Sequence, residues 1–381
     1  MSRNLKARLG RYRDAVKTKD PIKDDLVSEV WPGWTEAGFK TIKRKLTLEL
    51  LSPVPDKFCT ALAILVPDLL RVKRIPQPSE LLFFDLETSG LSGGAGTLAF
   101  LAAFGRFATS PRSSPARLDI TQYLLLDYPG ECDFVELLVK EFASAEGTPL
   151  VVSYNGKSFD AQILSNRCLM NRISPPELSH VDLLHPSRRL WKRLLADCSQ
   201  STIEVSVLGL DRTGDISGAL APDIWFSFLR SGESSELLSV CEHNVKDITG
   251  LANLFLTLEE IANEPLRSRF RFDEGSLALY WRKALRKNPA FFKQSKNCGK
   301  TGRLLLERAA GKGHVQAALV LAIDAEWRLK DPALALRYTE SALKTPELPD
   351  KLKCDLEKRR TRLKEKCVIT SKNTALRNLK A

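Results

Sequence analysis

From about residue 80 the chain alternates between short unbroken apolar runs and segments whose apolar residues recur every three or four positions. Leu81–Leu86 is an apolar run of the kind that makes a buried strand. Leu91–Gly96 reads as a Ser/Gly loop, Thr97–Phe107 as a second strand and Arg117–Leu126 as a third. Short connections bearing glycine or proline join the three, which predicts antiparallel neighbours. In Glu131–Ala145 the residues Phe134, Leu137, Leu138 and Phe142 share one helical face. Pro149–Tyr154 reads as a buried strand, Ser158–Met170 as a helix and His180–Leu184 as a short strand. Helices are expected over Pro186–Ala196 and Glu233–Ile261. Three antiparallel strands followed by α-β-α-β-α define an α/β layer architecture.

The flanks differ. In the first 75 residues only Thr41–Leu51 alternates as a strand would, and Ala61–Leu70 suits a short helix or strand. After about 265 the pattern is helical: Ala317, Ala318, Leu321, Ala322 and Ala325, then Ala333, Ala335, Leu336 and Ala342, are small or apolar positions at helical spacing. The stretch AEWRLKDPALALRYTESAL resembles the second half of a tetratricopeptide repeat; a plain helical hairpin is the other reading. The expected organisation is an accessory segment over 1–75, an α/β domain over 76–264 and a helical, tetratricopeptide-like region with a basic tail over 265–381.

Composition narrows the class. A chain of 381 residues with 43% hydrophobic and 27% charged residues suits a globular protein of two or three domains. Its eight cysteines form no C-x-x-C pair. That argues against a zinc site and a disulfide framework, and predicts a cytoplasmic location. No apolar run approaches the roughly 20 residues that span a bilayer, so no membrane partner is expected. The net charge of +12 lies wholly at the ends: residues 1–25 hold 8 basic and 4 acidic side chains, residues 351–381 hold 11 and 3, and the middle holds 39 of each. The tails are either solubilising or electrostatic arms for a phosphate backbone.

Candidate chemistry begins at Asp85 and Glu87. Two residues apart on a strand, they point to one face. Side by side at the end of a core strand, two carboxylates repel unless a cation sits between them, and a divalent metal is the natural one. The alternative is one acid capping a turn and the other in solvent. Asp160 in Tyr154-Asn155-Gly156-Lys157-Ser158-Phe159-Asp160 falls in a first helical turn, where capping alone could explain it. His243 and Asp247 stand i, i+4 on one helix face, suited to a proton acceptor beside a metal ligand or to a plain surface pair. His180, Asp182 and His185 are supporting residues at best, and Phe84, Tyr154 and Phe159 read as core.

Together these segments resemble the DEDD-type 3′–5′ exonuclease superfamily, which has a ribonuclease H-like fold. The resemblance covers residues 81–258. Asp85-x-Glu87-Thr88-x-Gly90 is similar to the family's first motif, Asn155 through Phe159-Asp160 to its second, and His243…Asp247 to its third. DLLHPSRRLW, CEHNVKDITGLANLF and the helical C-terminus further resemble a bacterial group of predicted exonucleases with tetratricopeptide-like tails. The resemblance implies a mixed five-stranded sheet flanked by helices. One departure stands out. The family's third motif is usually Tyr-x3-Asp or His-x4-Asp, and here it is His-x3-Asp; one residue on a helix turns a side chain by about 100°.

What the resemblance implies is a nuclease in which Asp85, Glu87, Asp160 and Asp247 hold two Mg²⁺ or Mn²⁺ ions and His243 accepts a proton from water. Thr88, Gly90, Leu91 and Asn155 would line the path of a terminal nucleotide. The implied partner is DNA or RNA with a free 3′ end, and the helical region would recruit a protein. Two rivals share these residues: a structure-specific endonuclease, and a weakly active module that only grips nucleic acid or a protein.

Overall fold

The structure, a computed structural model, describes residues 31–71, 75–90, 96–108, 116–143, 148–287 and 298–378. The chain divides into two compact units. The first holds the described residues up to Cys59, Val66–Pro186 and Asp197–Glu259; the second holds Thr60–Leu65, Ser187–Ala196 and the described residues from Glu260 onward.

The first unit is built on one sheet. Its strands are β1 (Thr35–Gly38), β2 (Thr41–Glu49), β3 (Leu81–Thr88), β4 (Ala99–Phe107), β5 (Arg117–Leu125), β6 (Leu150–Ser153) and β7 (Ser179–Asp182), in the order β1-β2-β5-β4-β3-β6-β7. β3, β4 and β5 are antiparallel neighbours, while β6 and β7 run parallel to β3. The sheet expected as five strands therefore has seven. β2 pairs with β5 in unbroken register from Thr41↔Leu125 to Glu49↔Arg117. Its alternating Ile42, Arg44, Leu46 and Leu48 suit a strand with one covered face, and it shields an edge that β5 would otherwise expose.

Helices α1 (Glu131–Glu141), α2 (Asp160–Met170), α3 (Leu184–Trp191), α4 (Ala221–Ser231) and α5 (Ser235–Asn263) follow. α4 was not expected from the pattern. Its Trp225 is fully buried, stacks on Phe100 with ring centroids 5.1 Å apart, and donates from Nε1 to Leu125 O at 3.0 Å. α5 lies close to the sheet at Gly105 of β4: a Cβ there would stand 2.8 Å from Ile248 Cγ2. That approach seats the residue beside Asp247.

The second unit is helical, with α6 (Glu274–Lys287), α7 (Cys298–Gly311), α8 (Val315–Trp327), α9 (Pro332–Leu343) and α10 (Asp350–Asn378). Small buried residues on α8 and α9, among them Ala317, Ala318, Ala322, Ala335 and Ala342, let neighbouring helices pack closely. The basic stretch of α10 is partly engaged within the unit: Arg359, Arg362 and Lys366 surround Glu326, a buried carboxylate, at 2.7–2.9 Å.

Candidate functional site

A cleft of about 230 Å³ in the first unit is lined by Asp85, Glu87, Asp160, His243 and Asp247, with Tyr154, Asn155 and Phe159. The side chains come from three places. Asp85 and Glu87 project from the C-terminal half of β3, whose Phe83 and Phe84 are buried on opposite faces. Asp160 opens α2. Ser153 ends β6, Asn155 takes a left-handed φ of 63°, and the chain then enters the helix. A Cβ on Gly156 would stand 2.6 Å from Asp160 Oδ2 and 2.7 Å from Ser153 Oγ, so this turn has no room for a side chain. His243 and Asp247 come from α5.

The electrostatics are unfavourable as they stand. Burial holds the Asp85 carboxyl well above the usual carboxylate range, and Asp160, Asp247 and Glu87 raise it further. Glu87 is raised by burial and by Asp247 and Asp160. Asp160 is pushed up to about 7, by burial first and then by Asp182. These acids share a space that disfavours their charge, and all their donor atoms are oxygen. That donor set fits hard divalent cations. Among the described residues, one ligand atom each of Glu87, His243 and Asp247 lie within 4.8 Å of one another.

Two networks fix the cleft from behind, and neither was legible in the motifs. The first holds Asp85. Asn244 Nδ2 donates to Asp85 Oδ2 at 2.7 Å, and Gln122 Nε2 donates to Asn244 Oδ1 at 2.7 Å and to Cys241 O at 3.0 Å. Arg44 Nε on β2 donates to Gln122 Oε1 at 2.6 Å. Gln122 and Asn244 are wholly buried, so every amide atom in this chain must be matched. The added strand β2 thus reaches Asp85 through three hydrogen bonds.

The second network holds α5. Arg212 pairs with Asp247 Oδ1 at 2.5 Å and Asp215 Oδ2 at 2.5 Å, and also with Glu204, which is wholly buried. His243 Nδ1 lies 3.0 Å from Asp215 Oδ2, and its Nε2 lies 3.3 Å from Asp247 Oδ2. Burial lifts Glu204 to about 7 against the pull of Arg212. Burial also acts upward on Asp215, but hydrogen bonds from Arg212 and His243 outweigh it and hold Asp215 below the usual range.

The other expected residues fall as follows. Thr88 Oγ1 donates to Gly90 O at 2.9 Å and steadies the turn after β3. Thr88 and Gly90 are not among the residues lining the cleft, and Leu91 lies outside the described residues. Asn155 lines the cleft, and its N–H donates to Asp182 Oδ1 at 2.9 Å. His180 contacts Ser153 Oγ at 2.7 Å and burial lowers its pKa to about 4, while His185 is exposed. Phe84 is core, but Tyr154 and Phe159, also expected in the core, are only partly buried and line the cleft.

Residues 82–259 match the profile of the RNase_H superfamily. The matched segment is just under half of the chain, and its β5-β4-β3-β6-β7 order with flanking helices is a ribonuclease H-like architecture similar to that superfamily's. A stretch of 185 residues is 36% identical to an uncharacterized protein, YprB, of Bacillus subtilis (strain 168). The match covers 48% of this chain and 42% of that protein, so the chain spans less than half the length of this relative. Among solved structures, the family B DNA polymerase of the hyperthermophilic archaeon Pyrobaculum calidifontis is similar at 14% identity, with a TM-score of 0.36, over 55% of this chain and 30% of the polymerase. Among the described residues, no helix is long and apolar enough to cross a membrane.

Proposed function

We propose that the chain is a metal-dependent nuclease acting as a 3′–5′ exonuclease on DNA or RNA. The observation that carries this reading is the convergence of Asp85, Glu87, Asp160 and Asp247, with His243, on one cleft. The four carboxylates would hold two Mg²⁺ or Mn²⁺ ions. When bound, such ions offset the carboxylate charge, make a water more acidic and stabilise the leaving oxygen.

The chain's own residues supply the rest. With Asp215 accepting from His243 Nδ1, Nε2, which lies 3.3 Å from Asp247 Oδ2, is the ring nitrogen that would take a proton inside the cleft. Asn244 fixes the Asp85 carboxylate, and Arg212 fixes that of Asp247. Tyr154 and Phe159 give the wall an apolar surface on which the sugar and base of a terminal nucleotide can rest. The consecutive helices of the second unit suit a tetratricopeptide-like protein-binding region.

The test is cleavage of end-labelled single-stranded DNA and RNA with Mn²⁺, with free and blocked 3′ ends. Release of mononucleotides only from free 3′ ends, lost in Asp85→Ala and Asp247→Ala, is expected. Full cleavage by those variants would remove the metal assignment; an unchanged rate on blocked ends would leave an endonuclease. One observation favours a weakly active module instead: Arg212 already occupies an oxygen of Asp247. In that case titration with Mn²⁺ gives no saturable heat.

A further inference from the structure

A cavity of about 620 Å³ in the second unit lies apart in sequence from every residue of the cleft. Its wall carries four cationic side chains, Arg193, Arg271, Arg308 and Lys312, against two acids, Asp273 and Glu274. The acids form the inner layer. Asp273 is buried and caps α6, accepting from Ser276 N at 3.0 Å and from Ser276 Oγ at 2.8 Å. Arg193 approaches Asp273 at 3.3 Å, and Arg308 and Lys312 approach Glu274 Oε1 at 2.9 and 3.1 Å. The guanidinium and ammonium groups form the outer layer: the Arg193 side chain is 58% exposed and that of Lys312 is 67% exposed.

Two cations therefore remain beyond what the acids neutralise. A shared carboxylate holds Arg308 and Lys312 side by side, so their remaining N–H groups are ordered while facing solvent. Arg271 is exposed, and its backbone carbonyl accepts from Trp191 Nε1 at 2.8 Å.

Two polar groups, His314 and Glu274, also line the wall. His314 Nδ1 accepts from Ala317 N at 3.2 Å, which puts the ring proton on Nε2. That Nε2–H faces the Asp273 carboxylate, whose Oδ1 stands 3.5 Å away, and, against burial, helps hold Asp273 below the usual carboxylate range. Among the described residues, Glu274 Oε2 is buried without a hydrogen bond. An unmatched carboxylate oxygen in the wall of a polar cavity marks a place for ordered water. The cavity has the size of a small-molecule site.

We propose that this cavity binds a phosphomonoester dianion, with Arg271, Arg308 and Lys312 as its contacts. A dianion matches the surplus of two charges, and ordered guanidinium forks suit the oxygens of a phosphate. Free inorganic phosphate and a nucleoside 5′-monophosphate carry this same group. The proposal does not depend on the nuclease reading.

The test is calorimetric titration of the full-length protein in EDTA with inorganic phosphate and, separately, adenosine 5′-monophosphate. Saturable binding at millimolar concentrations or below is expected. It should weaken about tenfold in Arg271→Ala and in Arg308→Ala and persist in Asp85→Ala. Equal affinity for the two probes would identify a bare phosphate site; tighter binding of the nucleotide would identify a nucleotide site. Arg271→Ala removes an exposed side chain, and an unchanged thermal melt would establish that the variant is folded. Absence of binding by both probes would overturn the proposal. So would binding that survives both arginine variants, or binding that is lost in Asp85→Ala and so belongs to the other unit.

Discussion

Replacing Asp160 by Asn should stabilise the metal-free protein, although it removes a buried polar group's charge from the centre of the candidate site. The two side chains have nearly the same shape, so the tight turn at Gly156 is kept. Burial and the neighbouring Asp182 push the Asp160 carboxyl from its ordinary 3.8 to about 7. Each unit of pKa is worth about 1.4 kcal/mol, so holding this group ionised costs the fold about 4 kcal/mol. A pKa raised by folding means that the folded state binds the proton more tightly. Stability is thus fully present below the unfolded-state pKa near 3.8 and is lost as pH rises through about 7. In EDTA the melting temperature of the native chain should fall between pH 4 and 8, and the variant should fall less. At pH 8 the variant should melt about 10 °C higher. Removing the charge also relieves Asp85 and Glu87, both raised partly by Asp160. With Mn²⁺ at about a hundred times its Kd the native protein should gain about 2.7 kcal/mol, and the variant much less. The assay is a set of thermal melts across pH, with EDTA and with Mn²⁺. A variant that melts no higher than the native chain at pH 8 in EDTA, or that gains as much from Mn²⁺, would refute the reasoning.

Three other substitutions probe the supporting networks. Asn244→Ala removes the hydrogen bond to Asp85 and takes one of the bonds of the wholly buried Gln122; a loss of about 1–3 kcal/mol in urea unfolding, with weaker Mn²⁺ binding, is expected. Arg212→Ala leaves the wholly buried Glu204 without its cationic partner and should cost about 3 kcal/mol at pH 8. Since Glu204 takes up a proton near pH 7, that cost should shrink at pH 5, and an equal cost at both pH values would count against a buried charge as its source. Asp215→Asn should lower kcat for cleavage about tenfold while the calorimetric Kd for Mn²⁺ stays the same; a matching loss of metal affinity would make Asp215 part of the metal site.

What was legible in the sequence follows from which interactions are local. The strand β3 could be read because its apolar run is continuous, and Asp85 and Glu87 because a strand's period is fixed. The expected strands of the ribonuclease H-like core all form, with ends displaced by a few residues where apolar runs continue into loops. β2 was legible in the alternation of Thr41–Leu51, but its pairing to β5 was not, since register between strands far apart in sequence leaves no local mark. α4 was missed because APDIWFSFLRS is short and flanked by glycine-bearing loops, and its reason to fold is Trp225 stacked on Phe100. The placement of Tyr154 and Phe159 was misjudged on the same ground: an aromatic next to a core strand reads as core unless its neighbours in space are known.

The spacing of the third motif shows how tertiary structure completes a local pattern. His243 and Asp247 are four residues apart, so their side chains stack on one face of α5, and His243 Nε2 reaches Asp247 Oδ2 at 3.3 Å. With the usual extra residue the histidine would leave from another part of the helix face, turned by about 100°. The shorter spacing crowds the histidine against a carboxylate and calls for a second contact to hold its ring. Asp215 is that contact, 3.0 Å from Nδ1. It is itself held by Arg212, whose other bonds reach Asp247 and Glu204. One short segment, 204–215, thus orients the histidine and sets the charge around its neighbouring acid. A His-x4-Asp protein of this fold would have a different geometry to support. Residues equivalent to Arg212 and Asp215 are therefore expected to accompany the His-x3-Asp spacing, and transplanting that spacing alone should not restore a positioned histidine.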